Sequence, residues 1–247
     1  MQPHRELTTS APTLEYESAF PPSDFSRLLL ASSRCRISER HKRGLQNREI
    51  AELGAKEGFV GISLSTSNTR LTFTDILERR LALIQRNVAS AGLVESQVVG
   101  SSEGEWFPME VDWQSIDVIV VNPPSIPCPP GFEVGRLPDE HVFYAGKDGR
   151  RELSRIIERL PDVLGPESEL LLTGADYVLD SWIEQFCFEK RLIATQVLRK
   201  RLFSGLNGID WEIRGHIKKE LGWGKFEETS SGLFFEAVAY TVRKLDQ

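Results

Sequence analysis

Apolar side chains along this chain recur with two different periods, and the two alternate. Behind Ser23 and Asp24, good helix-start residues, Phe25, Leu28 and Leu29 fall at i, i+3 and i+4 and predict a short amphipathic helix. "EIAELGAKEGFVGISL" (49–64) reads as a short strand, a glycine-containing turn and a helix, and "RLTFTDI" (70–76) as a strand. Leu77, Leu81, Ile84, Val88 and Ala91 then lie at helical spacing before Gly92 closes the segment. "ESQVVG" and "IDVIVV" are further strands, and "GRRELSRIIERLPDVL" is a helix with Asp148 as its expected N-cap. "ELLLTG" is a strand, "LDSWIEQFCFEK" a helix, and "RLIATQVL" and "LFFEAVAYTVRKL" the last two strands. Strands separated by helices of this length pair in parallel through right-handed crossovers, which predicts an open, doubly wound α/β sheet.

Two stretches, 125–147 and 203–231, fall outside the alternation, and the first 18 residues are polar and aperiodic, as expected of a flexible arm or lid. The expected organisation is an arm and helix over 1–48, a core over 49–202, and an extension with the last strand over 203–247. A 247-residue chain with 40% hydrophobic and 27% charged side chains suits one domain with such appendages. Its net charge of −6 argues against a nucleic acid or an anionic membrane as partner, and the basic run Arg34, Arg36, Arg40, Lys42, Arg43 and Arg48 reads as a solvated connection. Cys35, Cys128 and Cys187 are an odd number without metal-ligand spacing, and the four histidines pair neither with one another nor with the cysteines. Free thiols, no metal site and a cytoplasmic location are expected. No stretch has signal-peptide or membrane-spanning character. Neither a nucleophile elbow nor a P-loop is present to support a hydrolase or phosphoryl-transfer reading.

In an open α/β sheet ligands lie outside the carboxyl ends of the strands. Three such ends stand out. Glu52 closes the first strand, and Gly54 and Gly58 frame the turn after it, where backbone can approach a ligand closely. Asp75 ends the next strand 75 − 52 = 23 residues on, close to the roughly 20-residue offset at which an acid reaches ribose hydroxyls; it is equally placed to cap the helix beginning near Leu77. The third end is Asn122-Pro123-Pro124. The prolines stiffen the turn, and the Asn122 amide oxygen with the Pro123 carbonyl offers two acceptors for an NH or NH2 group. Acceptors so placed orient a nitrogen lone pair outward and stabilise the positive charge gained during attack.

The order "ELGAKEG", "FTDI", "RNVASAGL", "VIVVNPP" and "AGKDGRRELSRIIERLPDVLGPESELLLTG" resembles the class I S-adenosylmethionine-dependent methyltransferases that carry an Asn-Pro-Pro motif. It is most similar to the release-factor glutamine methyltransferase family, over about residues 20–200. The resemblance implies a mostly parallel, seven-stranded Rossmann-like sheet with helices on both faces. It also implies S-adenosylmethionine as cofactor, with Glu52, Gly54 and Gly58 at its methionine part, Asp75 at the ribose and Ile76 on the adenine. Asn122, bordering the cofactor, would hold the acceptor nitrogen together with Pro123 and Pro124 for direct methyl transfer.

Three departures shape the expectation. Lys56 stands where the family has a second glycine, predicting a bulged loop or an outward cation. Ser101 or Ser102 stands where relatives place an acid toward the adenine amino group, with Glu103 just beyond. Ser125 follows Asn-Pro-Pro where relatives that act on glutamine or nucleobases carry an aromatic residue. The family's bacterial members have a helical recognition domain ahead of this core, which the short arm does not supply. The substrate walls are therefore expected from 125–147, with Ser125, His141 and Tyr144, and from 203–231, where Trp211, His216 and Trp223 read first as packing residues. The expectation is N-methylation of a small molecule or peptidic metabolite. The alternatives are a protein glutamine methyltransferase working with a partner, a nucleobase methyltransferase, and a non-catalytic relative that lost the cofactor.

Overall fold

The computed structural model describes residues 14–16, 22–93, 95–130, 144–205, 215–217, 219–220, 227–229 and 232–245. The elements run α1 (Asp24–Lys42), β1 (Glu49–Leu53), α2 (Phe59–Leu64), β2 (Arg70–Asp75), α3 (Glu78–Ser90) and β3 (Gln97–Gly100). They continue with β4 (Val118–Val121), α4 (Arg151–Val163), β5 (Glu169–Ala175), α5 (Asp176–Leu179), α6 (Trp182–Glu189), β6 (Leu192–Gly205), β7 (Glu227–Thr229) and β8 (Gly232–Lys244).

The sheet order is β3-β2-β1-β4-β5-β8-β6, with β7 paired to β8 as an additional short strand. Pairings from β3 through β5 are parallel, whereas β8 runs antiparallel to both β5 and β6. Chain direction across the sheet reverses between β1 and β4, which opens a crevice at their carboxyl ends. Register puts the candidate residues there: Leu53 pairs with Thr74 and with Val121, and Asp75 with Gly100. Glu52, Asp75 and Asn122 thus share one edge.

Both faces are covered. One core layer joins Ala51, Ile119 and Val121 to Leu153, Ile156 and Leu160 of α4 and to α5 and α6; the other joins Ile50, Val118, Val120 and Phe73 to α2, α3 and Leu29 of α1. All four residues of β4 are fully buried, which is why this strand reads as an unbroken apolar run rather than an alternation. Each such side chain contributes about 1.5–3 kcal/mol relative to exposure. The chain ahead of α1 touches the second layer: Leu14 is buried, and the Asn87 side chain of α3 accepts from the Glu15 amide at 2.8 Å and donates to the Glu15 carbonyl at 2.9 Å. The same Asn87 amide nitrogen donates to the Glu57 carbonyl at 2.9 Å.

Local expectations need four corrections. The first helix is not short: α1 runs to Lys42, so Arg34, Arg36, Arg40 and Lys42 of the run read as a solvated connection lie on a helix, where buried Arg40 donates to the Glu167 carbonyl at 2.6 Å and Arg36 pairs with buried Glu169 at 2.8 Å. The N-cap of α4 is Arg150, not Asp148, whose carboxylate instead accepts the Arg150 amide at 3.0 Å and shapes the turn ahead of the helix. The helix expected at 179–190 is α6, which begins only at Trp182, and a further short helix, α5, precedes it, the two separated at Asp180–Ser181 where Ser181 takes φ +45°. The strand expected at 191–198 runs on to Gly205 because β6 pairs with β8 from Leu192↔Lys244 to Gly205↔Gly232, whereas β8 itself lies where its apolar pattern put it; β7 adds to that hairpin from within a stretch without recognisable period. Among the described residues no helix is long and apolar enough to cross a membrane.

Candidate active site

A cavity of about 290 Å³ opens at the carboxyl edge, over the β1–β4 crevice. Its floor is the turn after β1. Gly54, Lys56 and Gly58 have φ of +59°, +58° and +78°. Lys56 therefore adopts the left-handed conformation itself, at a cost of roughly 1–2 kcal/mol. The Lys56 amide, turned inward by this conformation, donates to Asp75 Oδ2 at 2.9 Å. The Ala55 amide meets the Thr74 carbonyl at 2.8 Å, tying the turn to β2.

Glu52 lies beneath the turn, and its carboxylate accepts from the Gly61 amide at 2.6 Å and the Val60 amide at 3.4 Å. Gly61 is required by this approach: a Cβ there would lie 2.7 Å from the Phe73 ring and 3.0 Å from Glu52 Oε2. Burial drives the Glu52 pKa up to about 8; the two amides oppose the shift, and the negative charges of Glu57 and Asp75 add to it. Asp75 is buried, and its second oxygen accepts from the Leu77 amide at 3.0 Å. It thus organises both the loop and the entry to α3, of which Leu77 is the N-cap residue. Ile76 follows, a large apolar side chain left 38% exposed on the cavity wall. Ser101, Ser102 and Glu103 line the cavity beyond β3.

The opposite wall holds Asn122. Its side-chain oxygen accepts from Thr173 Oγ1 of β5 at 3.2 Å, and its nitrogen donates to Ser26 Oγ at 3.3 Å and Ser23 Oγ at 3.5 Å at the start of α1. Pro123, Pro124 and Ser125 continue the lining, and Ile126 forms an isolated parallel bridge with Tyr144. The Ser125 carbonyl sits 2.5 Å from where a Cβ on Gly149 would be, so glycine at φ +76° lets the start of α4 close on this turn. Arg151 donates to the Tyr144 carbonyl at 3.1 Å.

The cavity thereby brings together Glu52, Gly54, Asp75, Ile76, Asn122, Pro123, Pro124, Ser125 and Tyr144, while Gly58 shapes the loop without lining it. His141, Trp211 and Trp223 lie outside the described residues. His216 is buried with a ring nitrogen 2.6 Å from the Lys147 carbonyl, a packing contact away from the lining. No group of three histidine, cysteine or acidic residues is placed to hold a metal among the described residues.

Several wall residues had no expectation attached to them. Trp106 faces Gly54, where a Cβ would approach its ring to 3.4 Å, and its indole N–H donates to Glu152 at 3.0 Å. Burial pushes the Glu152 pKa up, but the Trp106 bond and the Arg151 and Arg155 charges outweigh it and hold the carboxyl below its usual range. Phe25 and Ser26 come from α1, and Ser23 is its N-cap. Trp106 lies in an aperiodic loop that gave no signal, whereas Thr173 was visible as a hydroxyl inside an apolar strand.

Residues 28–122 match a family model described as lysine methyltransferase. The release factor glutamine methyltransferase of Bacillus cereus is 29% identical over 132 residues, covering 51% of this chain and 45% of its own length. The chain thus spans less than half the length of the curated relatives it matches. Among solved structures, the E. cuniculi Mtq2-Trm112 complex responsible for methylation of the eRF1 translation termination factor superposes with a TM-score of 0.54, at 14% identity over 92% of this chain and 98% of that one. The N-terminal domain of human METTL16 in complex with SAH gives 0.54, at 12% identity over 92% and 73%. Identities this low speak to the fold. The chain has the Rossmann-like methyltransferase fold and resembles S-adenosylmethionine-dependent methyltransferases in sequence, so S-adenosylmethionine is the cofactor that the resemblance implies.

Proposed function

We propose that the protein is an S-adenosylmethionine-dependent N-methyltransferase that seats a neutral acceptor nitrogen on Asn122 and the Pro123 carbonyl. The observation that carries this reading is the presence of Asn122 on one wall of the cavity whose other wall is the glycine loop and Asp75. These residues fit the cofactor: Gly54 allows close backbone approach from the lining, with Gly58 shaping the loop behind it, Asp75 presents a carboxylate toward a ribose, and the exposed Ile76 offers an apolar surface to adenine. The bound cofactor supplies an electrophilic methyl on a sulfonium.

The chain's own residues do the rest. Thr173 occupies one lone pair of the Asn122 oxygen, leaving the other for an acceptor N–H. The Pro123 carbonyl takes a second hydrogen, and both acceptors stabilise the charge that the nitrogen gains. A lysine ammonium is a poorer fit at this end, because Glu152 is already matched by Trp106, Arg151 and Arg155. Ser125 supports a small-molecule or short peptide acceptor by leaving space beside Asn122. The similarity to release-factor enzymes supports a second reading, a glutamine side chain in a protein substrate presented with a partner. Titration calorimetry with S-adenosylmethionine, followed by labelled-methyl transfer to release factors, glutamine peptides, small amides and nucleic acid, tests both. Absence of cofactor binding would leave a non-catalytic module, and robust turnover on a release factor would replace the first reading with the second.

A further inference from the structure

We infer that Phe25, in the first turn of α1, is the flat wall of the acceptor seat and selects for a planar acceptor; the inference rests on the N-methyltransferase reading above. Two acceptors, the Asn122 oxygen and the Pro123 carbonyl, orient the hydrogens of an NH2 group but leave its faces uncovered. Ser125, next along the chain from the prolines, has no ring to cover them. Among the described residues, four aromatic side chains line the cavity: Phe25, Phe59, Trp106 and Tyr144. Phe59 opens α2 and Trp106 faces Gly54, both on the loop side, and Tyr144 is only 9% exposed. Phe25 alone of the four sits on the element that touches Asn122. Ser23 and Ser26, flanking it, accept from the Asn122 side-chain nitrogen at 3.5 and 3.3 Å and so fix the helix start against the amide.

The ring is also braced. Phe25 stacks on Phe235 of β8 with centroids 6.0 Å apart and planes 21° apart, and Tyr177 meets Phe235 edge-on at 5.7 Å. One side of Phe25 is committed to this cluster, while its half-buried remainder belongs to the cavity wall. A ring held this way loses little freedom when a planar amide stacks on it.

The test uses full-length protein saturated with S-adenosylhomocysteine and the probe N-acetylglutamine methylamide, followed by NMR titration. Phe25→Leu, which keeps apolar volume and removes the ring, is expected to weaken probe binding at least about five-fold, with S-adenosylhomocysteine affinity within about two-fold by calorimetry. Phe25→Tyr should bind the probe like the parent. In Phe25→Leu/Ser125→Tyr a ring returns from the other side of Asn122, and probe affinity should recover; a merely structural role for Phe25 gives no such recovery. Unchanged probe binding in Phe25→Leu, failure of the double variant to recover, or no probe binding by the wild-type complex would each overturn the inference. If Asn122→Ala still loses the probe while Phe25→Leu does not, the methyltransferase reading stands without it. Wild-type protein that does not bind S-adenosylhomocysteine removes the reading itself.

Discussion

Thr173 donates its hydroxyl hydrogen to the side-chain oxygen of Asn122 across 3.2 Å, from the strand next to the one that Asn122 terminates. A fully buried side chain therefore fixes which face of an exposed amide points where. Thr173→Val keeps the volume and loses the bond. A neutral hydrogen bond is worth about 1 kcal/mol net, so turnover is expected to fall about five- to ten-fold, with cofactor affinity little changed and Thr173→Ser retaining activity. Asn122→Ala, which removes the acceptor itself, should lower turnover by about 10²–10³. Steady-state rates with labelled cofactor beside calorimetric affinities check both; turnover surviving Asn122→Ala would refute the clamp.

Asp75 holds two backbone amides, those of Lys56 and Leu77, in addition to its proposed ribose contact. Asp75→Ala strands both donors, so a loss of about 1–3 kcal/mol in folding stability and at least about ten-fold in cofactor affinity is expected. Urea denaturation and calorimetry measure the two separately. Full cofactor affinity in a folded variant would remove Asp75 from the binding site.

Glu52 makes stability depend on pH in an unusual direction. Its folded pKa of about 8 lies above the ordinary 4.5, so its contribution is fully present below pH 4.5 and is lost as pH rises toward 8. Glu52→Gln can still accept from the α2 amides and carries no charge to bury. The variant should match the wild type near pH 5 and exceed it by a few kcal/mol, in order of magnitude, near pH 9. Chemical denaturation at several pH values reads this gap; a gap that narrows toward high pH would contradict the burial argument.

Lys56 pays a backbone strain that glycine would not, since its φ is +58°. Lys56→Gly keeps the amide bonded to Asp75 and is expected to be neutral or stabilising by up to about 1 kcal/mol, the relief being partly offset by glycine's larger unfolded-state freedom. Lys56→Val should be destabilising by about 1–2 kcal/mol, because a β-branched residue tolerates this φ least. Equilibrium unfolding of the pair would expose an error if valine proved the more stable.

The fold was legible because the period of apolar residues changes at each element and because β4 is buried on both faces. Strand ends then pointed to Glu52, Asp75 and Asn122 without any knowledge of side-chain contacts. What stayed hidden arises from distance along the chain. Ser23 and Ser26 meet Asn122 across 99 and 96 residues, and Trp106 meets Glu152 across 46, so no local pattern records them. The break at Ser181 and the strand β7 were hidden for another reason: each depends on pairing or backbone conformation imposed by neighbours, not on an apolar period.

The placement of Trp106 gives the molecule an optical reporter of its own. Its indole N–H is held by Glu152 and its ring lies against the backbone of Gly54, at the loop proposed to receive the cofactor. Of the tryptophans among the described residues, Trp106 is the one that lines the cavity. Filling the cavity changes the solvent around that ring, so occupancy becomes a colour and intensity that can be followed before any acceptor has been identified.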